Sequence, residues 1–188
     1  KGWVPATGGN FSARTATGYV VTASGFDKGQ LGTHTFIELD HQGNRTKGAG
    51  NPSAETQLHL GMYKLIPHAN VVLHTHSVAA TVLSRVIKSH ALNLSGYEMQ
   101  KSLSGVTSHL DTLSIPIFEN DQDIDRLSLL LSDHHLHTAI EHAVLIRGHG
   151  VYVVGRNYKQ ALRHLEGLEF LFSCELERLK IEGIGAQL

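Results

Sequence analysis

Cysteine is almost missing from this sequence: Cys174 stands alone among 188 residues. A single thiol excludes an intrachain disulfide and a zinc site built from cysteines. An excess of charge of one sign is missing too. Lys and Arg number 16 against 17 Asp and Glu, a net charge of −1 with histidine neutral. That balance offers no electrostatic footprint for nucleic acid. No apolar run approaches the roughly 18–20 residues of a membrane-spanning helix. No signal peptide is visible, so the expectation is a cytoplasmic protein without a membrane partner. No Walker or Rossmann glycine pattern occurs, which argues against a nucleotide. There is no internal repeat and no low-complexity linker.

Histidine, in contrast, is abundant, with 14 copies. It is the commonest side-chain metal ligand and the residue that titrates near neutral pH, so the count points to a metal site or acid–base chemistry without locating either. The remaining composition, 41% hydrophobic and 18% charged, is globular, and the length fits one domain over residues 1–188.

Helix and strand signals alternate along the chain. Residues 7–12 read as a loop, 18–22 and 36–39 as short strands, and 71–73 as a buried strand. A helix is expected to start at Asn51-Pro52-Ser53, with Leu58, Met62, Leu65 and Ile66 at helical spacing before Pro67. Further helices are expected over 77–87, 121–131 and 158–181, and strands over 113–118, 143–146 and 151–154. Residues 89–110 give no clear pattern. The mixture, without strict βαβ regularity, suggests a sheet covered by helices.

The strongest local signal is Val71-Val72-Leu73-His74-Thr75-His76-Ser77. In strand backbone His74 and His76 point to the same side and can grip one metal. Two satisfied structural histidines would give the same pattern. His149, in Gly148-His149-Gly150 between two apolar strands, is the candidate third ligand, and three imidazoles make a zinc set with an open position. Alone, it reads as a turn histidine. The dense cluster of His134, His135, His137 and His142 lacks apolar support and reads as solvated surface.

Glu55 and Glu98 are candidate carboxylates, although each in isolation fits a helix surface. The loops Gly8-Gly9-Asn10 and Thr22-Ala23-Ser24-Gly25, together with Ser53 ahead of a helix and Lys28, could hold an anion or be ordinary turns. Cys174 reads as packing on the long amphipathic helix.

The ordered set Gly9-Asn10-Phe11-Ser12, Thr22-Ala23-Ser24-Gly25, Pro52-Ser53-Ala54-Glu55, His74-Thr75-His76 and Arg147-Gly148-His149-Gly150-Val151 resembles the class II aldolase/adducin family over residues 8–181. Within it, the stretches 2–10, 72–77 and Gly96-Tyr97-Glu98-Met99-Gln100-Lys101 most resemble its dehydratases. The resemblance implies a three-layer α/β/α fold with a central, largely antiparallel sheet, assembled as a homotetramer. It implies one Zn2+ per subunit on His74, His76 and His149. It implies a ketose 1-phosphate substrate whose phosphate meets Asn10, Ser24, Gly25 and Ser53, with Lys28 as an added basic group. Glu98 falls at the acid–base position of the dehydratases. Glu55 falls at an acidic position near the metal in the sugar-phosphate aldolases. Aldolase or epimerase chemistry, and a non-catalytic adducin-like role, are the other readings the family allows.

Overall fold

The computed structural model describes residues 1–185, with the side chains of 184 and 185 excepted. Nine strands form one sheet: β1 (Asn10–Thr15), β2 (Gly18–Thr22), β3 (Phe36–Leu39), β4 (Arg45–Lys47), β5 (Val71–Thr75), β6 (Ala91–Leu94), β7 (Leu113–Phe118), β8 (Ala143–Ile146) and β9 (Gly150–Gly155). Their order is β4-β3-β2-β1-β5-β9-β8-β7-β6. Every pairing is antiparallel except β7 with β8. Four helices cover it: α1 (Thr56–Leu65), α2 (Val78–Val86), α3 (Ile124–His137) and α4 (Tyr158–Gly185).

Two apolar cores lie on opposite faces of the sheet. One joins α1 and α3 to the sheet through Leu58, Met62, Tyr63, Leu127 and Leu131 against Val72, Val144 and Val154. The other joins α2 and α4 through Leu83, Leu165, Leu168 and Phe172 against Leu73, Leu145 and Val153. This is the three-layer arrangement with a largely antiparallel sheet. The alternation along β5 decides the rest: Val72 faces the α1–α3 side and Leu73 the α2–α4 side. Period two then sends His74 to the first side and Thr75 to the second.

Four expectations need correction. Residues 7–12 are not all loop: β1 begins at Asn10 because its backbone pairs with β2 on one side and β5 on the other. β4 and β6, where no element was expected, lie at the sheet's two edges, where pairing rather than composition makes the strand. α1 starts at Thr56, since Pro52 is held in an extended bridge to Ala23 and Thr56 turns back onto the Ser53 carbonyl. α3 starts later and runs further than expected: the Asp123 carboxylate caps the Arg126 N–H at 3.0 Å. The stretch around residue 135 therefore forms the last turn of α3 and is not simply solvated. His134 packs edge-on against Phe118, and His142 is buried.

A buried polar cluster ties β1 to α1. Ser12 Oγ lies 2.6 Å from His59 Nδ1 and 2.7 Å from the Tyr63 hydroxyl. Burial pushes the His59 imidazole down to about 4, against a partial upward pull from Glu55. An unfolded His59 titrates near 6.5, so between the two values the unfolded chain binds a proton that the folded chain refuses. Stability is therefore full above the higher value and falls with pH below it, by roughly 1.4 kcal/mol per unit from this group. His59→Asn, which keeps a polar atom near Ser12, should flatten the decline of urea midpoint between the two values by about one proton. An unchanged slope would show that His59 does not drive it.

Candidate metal centre

β5 is paired on both edges, with β1 placing Asn10 opposite His74 and β9 placing Tyr152 opposite His74. The turn from β8 to β9 carries His149 back over the end of β5. Gly148 adopts φ +68°, which favours glycine. At Gly150 any Cβ would sit 2.0 Å from the Thr75 carbonyl oxygen, so only glycine lets β9 start against β5. Helix α2 holds the turn from behind: the Ser84 hydroxyl accepts the Gly148 N–H at 2.9 Å, and Thr81 donates to the His149 carbonyl at 3.0 Å.

The result is convergence of three imidazoles on one point. The Nε2 atoms of His74 and His76 are 2.7 Å apart, those of His76 and His149 3.1 Å, and those of His74 and His149 3.3 Å. Glu55, just before α1, joins them. Its Oε1 lies 2.9 Å from His149 Nε2 and its Oε2 3.4 Å from His74 Nε2. The Asn10 amide donates to the same carboxylate at 2.5 Å.

The protonation states suit a cation. Burial, more than any other effect, lowers the His74 imidazole well below its ordinary value, and it does the same, less strongly, to His76. His74 Nδ1 lies 3.0 Å from the Val151 carbonyl. That contact assigns the ring proton to Nδ1 and leaves the Nε2 lone pair aimed at the cluster. Burial alone would raise the Glu55 carboxyl. The hydrogen bond to His149, the charge of His74 and the Asn10 amide outweigh it and hold the group well below the usual carboxylate range. Three imidazole nitrogens and a carboxylate oxygen, all within 4.8 Å of one another, are a donor set for a divalent metal. Tetrahedral zinc with bonds of roughly 2.0–2.1 Å would separate its nitrogens by about 3.3 Å, and two of the three spacings lie near that value.

The other candidates divide. Asn10 is at the centre. The loops bearing Ser24 and Ser53 meet through the Ala23–Pro52 bridge and the Ser24 N–H to Asn51 carbonyl bond at 2.9 Å. Gly25 adopts φ +83° beside Ser24. Lys28 donates to the Thr7 and Phe26 carbonyls, and burial lowers its pKa despite the nearby charges of Asp27 and Glu55. Glu98 is not brought to His74, His76 and His149 of its own chain. Its side chain is 71% exposed and pairs with Lys101 at 2.6 Å and His109 at 3.5 Å.

Sequence reasoning missed Tyr152, whose ring stacks on His74 at 3.8 Å and 11°. It looks like one more apolar strand residue until the β5–β9 register is known.

A family model described as the class II aldolase and adducin N-terminal domain matches residues 1–176. The chain belongs to the class II aldolase and adducin family. It is 71% identical over 186 residues to the methylthioribulose-1-phosphate dehydratase of Pseudoalteromonas translucida (strain TAC 125), covering 99% of this chain and 88% of that one. It is 54% identical over 183 residues to the enzyme of the same name from Serratia proteamaculans (strain 568), covering 97% and 90%. Both relatives are dehydratases by name, and a chain this close to them over nearly its whole length is an enzyme. Among solved structures, an L-fuculose-1-phosphate aldolase from Thermus thermophilus superposes with a TM-score of 0.76 at 26% identity, covering 97% of this chain and 89% of that one. A sugar-phosphate aldolase from Thermotoga maritima shares the fold, with a TM-score of 0.66 at 20% identity over 96% and 89%.

Removing one nitrogen should show in the metal itself. His74→Ala, purified without chelator, is expected to hold far less divalent metal per chain by elemental analysis than the parent protein. Equal metal content would show that His74 is not a ligand.

Proposed function

We propose that the protein is a zinc-dependent dehydratase that converts 5-methylthioribulose 1-phosphate to 2,3-diketo-5-methylthiopentyl 1-phosphate and water, a step of methionine salvage in the cytoplasm. The observation that carries this reading is the three-histidine cluster with its ionised Glu55, in a chain 71% identical to a dehydratase of that name. We read residues 1–188 as a single domain.

In this reading His74, His76 and His149 hold the metal. A bound divalent ion would supply Lewis-acid polarisation of the substrate oxygens, acidifying the proton on C3. Asn10, Ser24, Gly25, Ser53 and Lys28 receive the phosphate and set the position of C3, so that proton transfer occurs within a fixed complex. The reaction needs a base for the C3 proton and an acid for the departing C4 hydroxyl. Glu55 is anionic, fixed by Asn10, and a neighbour of the metal ligands, where it orients the site and accepts hydrogen bonds. Glu98 is assigned the acid–base work. Because its carboxylate stands apart from His74, His76 and His149 of its own chain, we assign it to the site of a second copy in a homotetramer.

The direct test is product analysis with 5-methylthioribulose 1-phosphate and metal-quantified protein. The expected product is the diketone with its phosphate retained. Retro-aldol fragments would instead make the protein an aldolase, an epimerised pentulose phosphate would make it an epimerase, and inactive protein without metal would support an adducin-like role. Glu98→Gln is expected to keep its metal and lose at least about 100-fold in kcat, the scale of a general acid–base group. Mixed oligomers of Glu98→Gln and His74→Ala chains should recover turnover that neither has alone. A mixture as inactive as its parents would remove Glu98 from a neighbour's site.

A further inference from the structure

Glu169 has no part in the chemistry above, yet it is a carboxyl buried to 2% exposure in the apolar layer between α4 and the sheet. No lysine, arginine or histidine forms an ion pair with it among the described residues. Its side-chain partners are hydroxyls: Thr75 donates to Oε1 at 3.2 Å, and the Ser77 hydroxyl faces the same carboxyl. Burial pushes its pKa up, and the two hydroxyls pull it back only in part. A carboxyl buried without a cation is costly, and an apolar side chain of similar volume would ordinarily serve the core better.

The two partners explain the placement. Thr75 and Ser77 alternate with His74 and His76 along the same stretch of chain. Thr75 is the last residue of β5, on the face away from the histidines. Ser77 is the cap of α2, its Oγ accepting the Ala80 N–H at 3.1 Å. One carboxyl thus bonds the end of β5 and lies beside the start of α2, on either side of His76. His76 otherwise lies just past the paired strand, with its N–H donated to the Trp3 carbonyl.

We propose that Glu169 is a positioning residue for the metal centre: through Thr75 and Ser77 it fixes from behind the backbone that aims His74 and His76. This rests on the reading that these histidines hold the metal. The sheet face opposite a ligand thereby acts as its support, at the expense of core stability.

The test measures zinc affinity by competition with a chromogenic chelator and, separately, the thermal midpoint of the metal-free protein. Glu169→Leu should keep or raise the metal-free midpoint and weaken zinc roughly 10–100-fold, the range for lost outer contacts to ligands. Glu169→Gln, which keeps the shape and can meet both hydroxyls, should restore most of the affinity. Should the Leu variant fail to fold, Thr75→Val and Ser77→Ala together remove the same contacts, with the same weakening expected. Wild-type zinc affinity in Glu169→Leu or in the double variant would overturn the proposal. A parent protein that binds no zinc would instead overturn the reading on which it rests.

Discussion

The site hangs on strand β5 being hydrogen-bonded on both edges and covered on both faces. With β1 and β9 flanking it, the strand has no freedom to slip, and a slip of one residue would exchange its two faces. Its residues then serve two layers at once. Val72 and His74 belong to the α1–α3 side, and Leu73 and Thr75 to the α2–α4 side. The cross-strand register also sets what His74 meets: Asn10 from one neighbour and Tyr152 from the other. Shifting β1 would move the amide that holds Glu55, and shifting β9 would move the ring stacked on His74.

Electrostatics follows from that placement. Three nitrogens brought together under the protein surface cannot all be protonated, since burial and mutual repulsion both disfavour the charged forms. The Val151 carbonyl claims the outer proton of His74, and Glu55 is anchored by the Asn10 amide. Polar groups on α2 hold the third histidine: Thr81 and Ser84 grip the glycine turn that carries His149. A helix that looks like simple packing in sequence thus acts as a brace for His149.

Much of this was legible beforehand, for identifiable reasons. The apolar run before His74 and the HxH spacing are local features, and period two relates them without any tertiary knowledge. The glycines around His149 are local as well, and the ordered short motifs made His149, Glu55 and Asn10 candidates together. Other parts were not legible. β1 carries Asn10 and Ser12 on its buried side, so its pattern resembles a loop until β2 and β5 supply its hydrogen bonds. Tyr152 and Glu169 lie in segments whose periodicity describes core, and their contacts run to residues about eighty or more positions away. Glu98 stood out as a motif, but no local pattern tells whether its carboxylate meets His74, His76 and His149 of the same chain.

The sequence by itself determined the period of β5 and of the main helices, the glycines that flank His149, and the candidates for ligand and carboxylate. Those depend on bond geometry and near neighbours, which a linear pattern records. Only the tertiary structure decided that His149 crosses to His74 and His76, that Glu55 is the carboxylate beside them, and that Glu169 stands behind them. Those depend on strand order and register, which arise when distant segments compete for the same backbone hydrogen bonds and the same buried space.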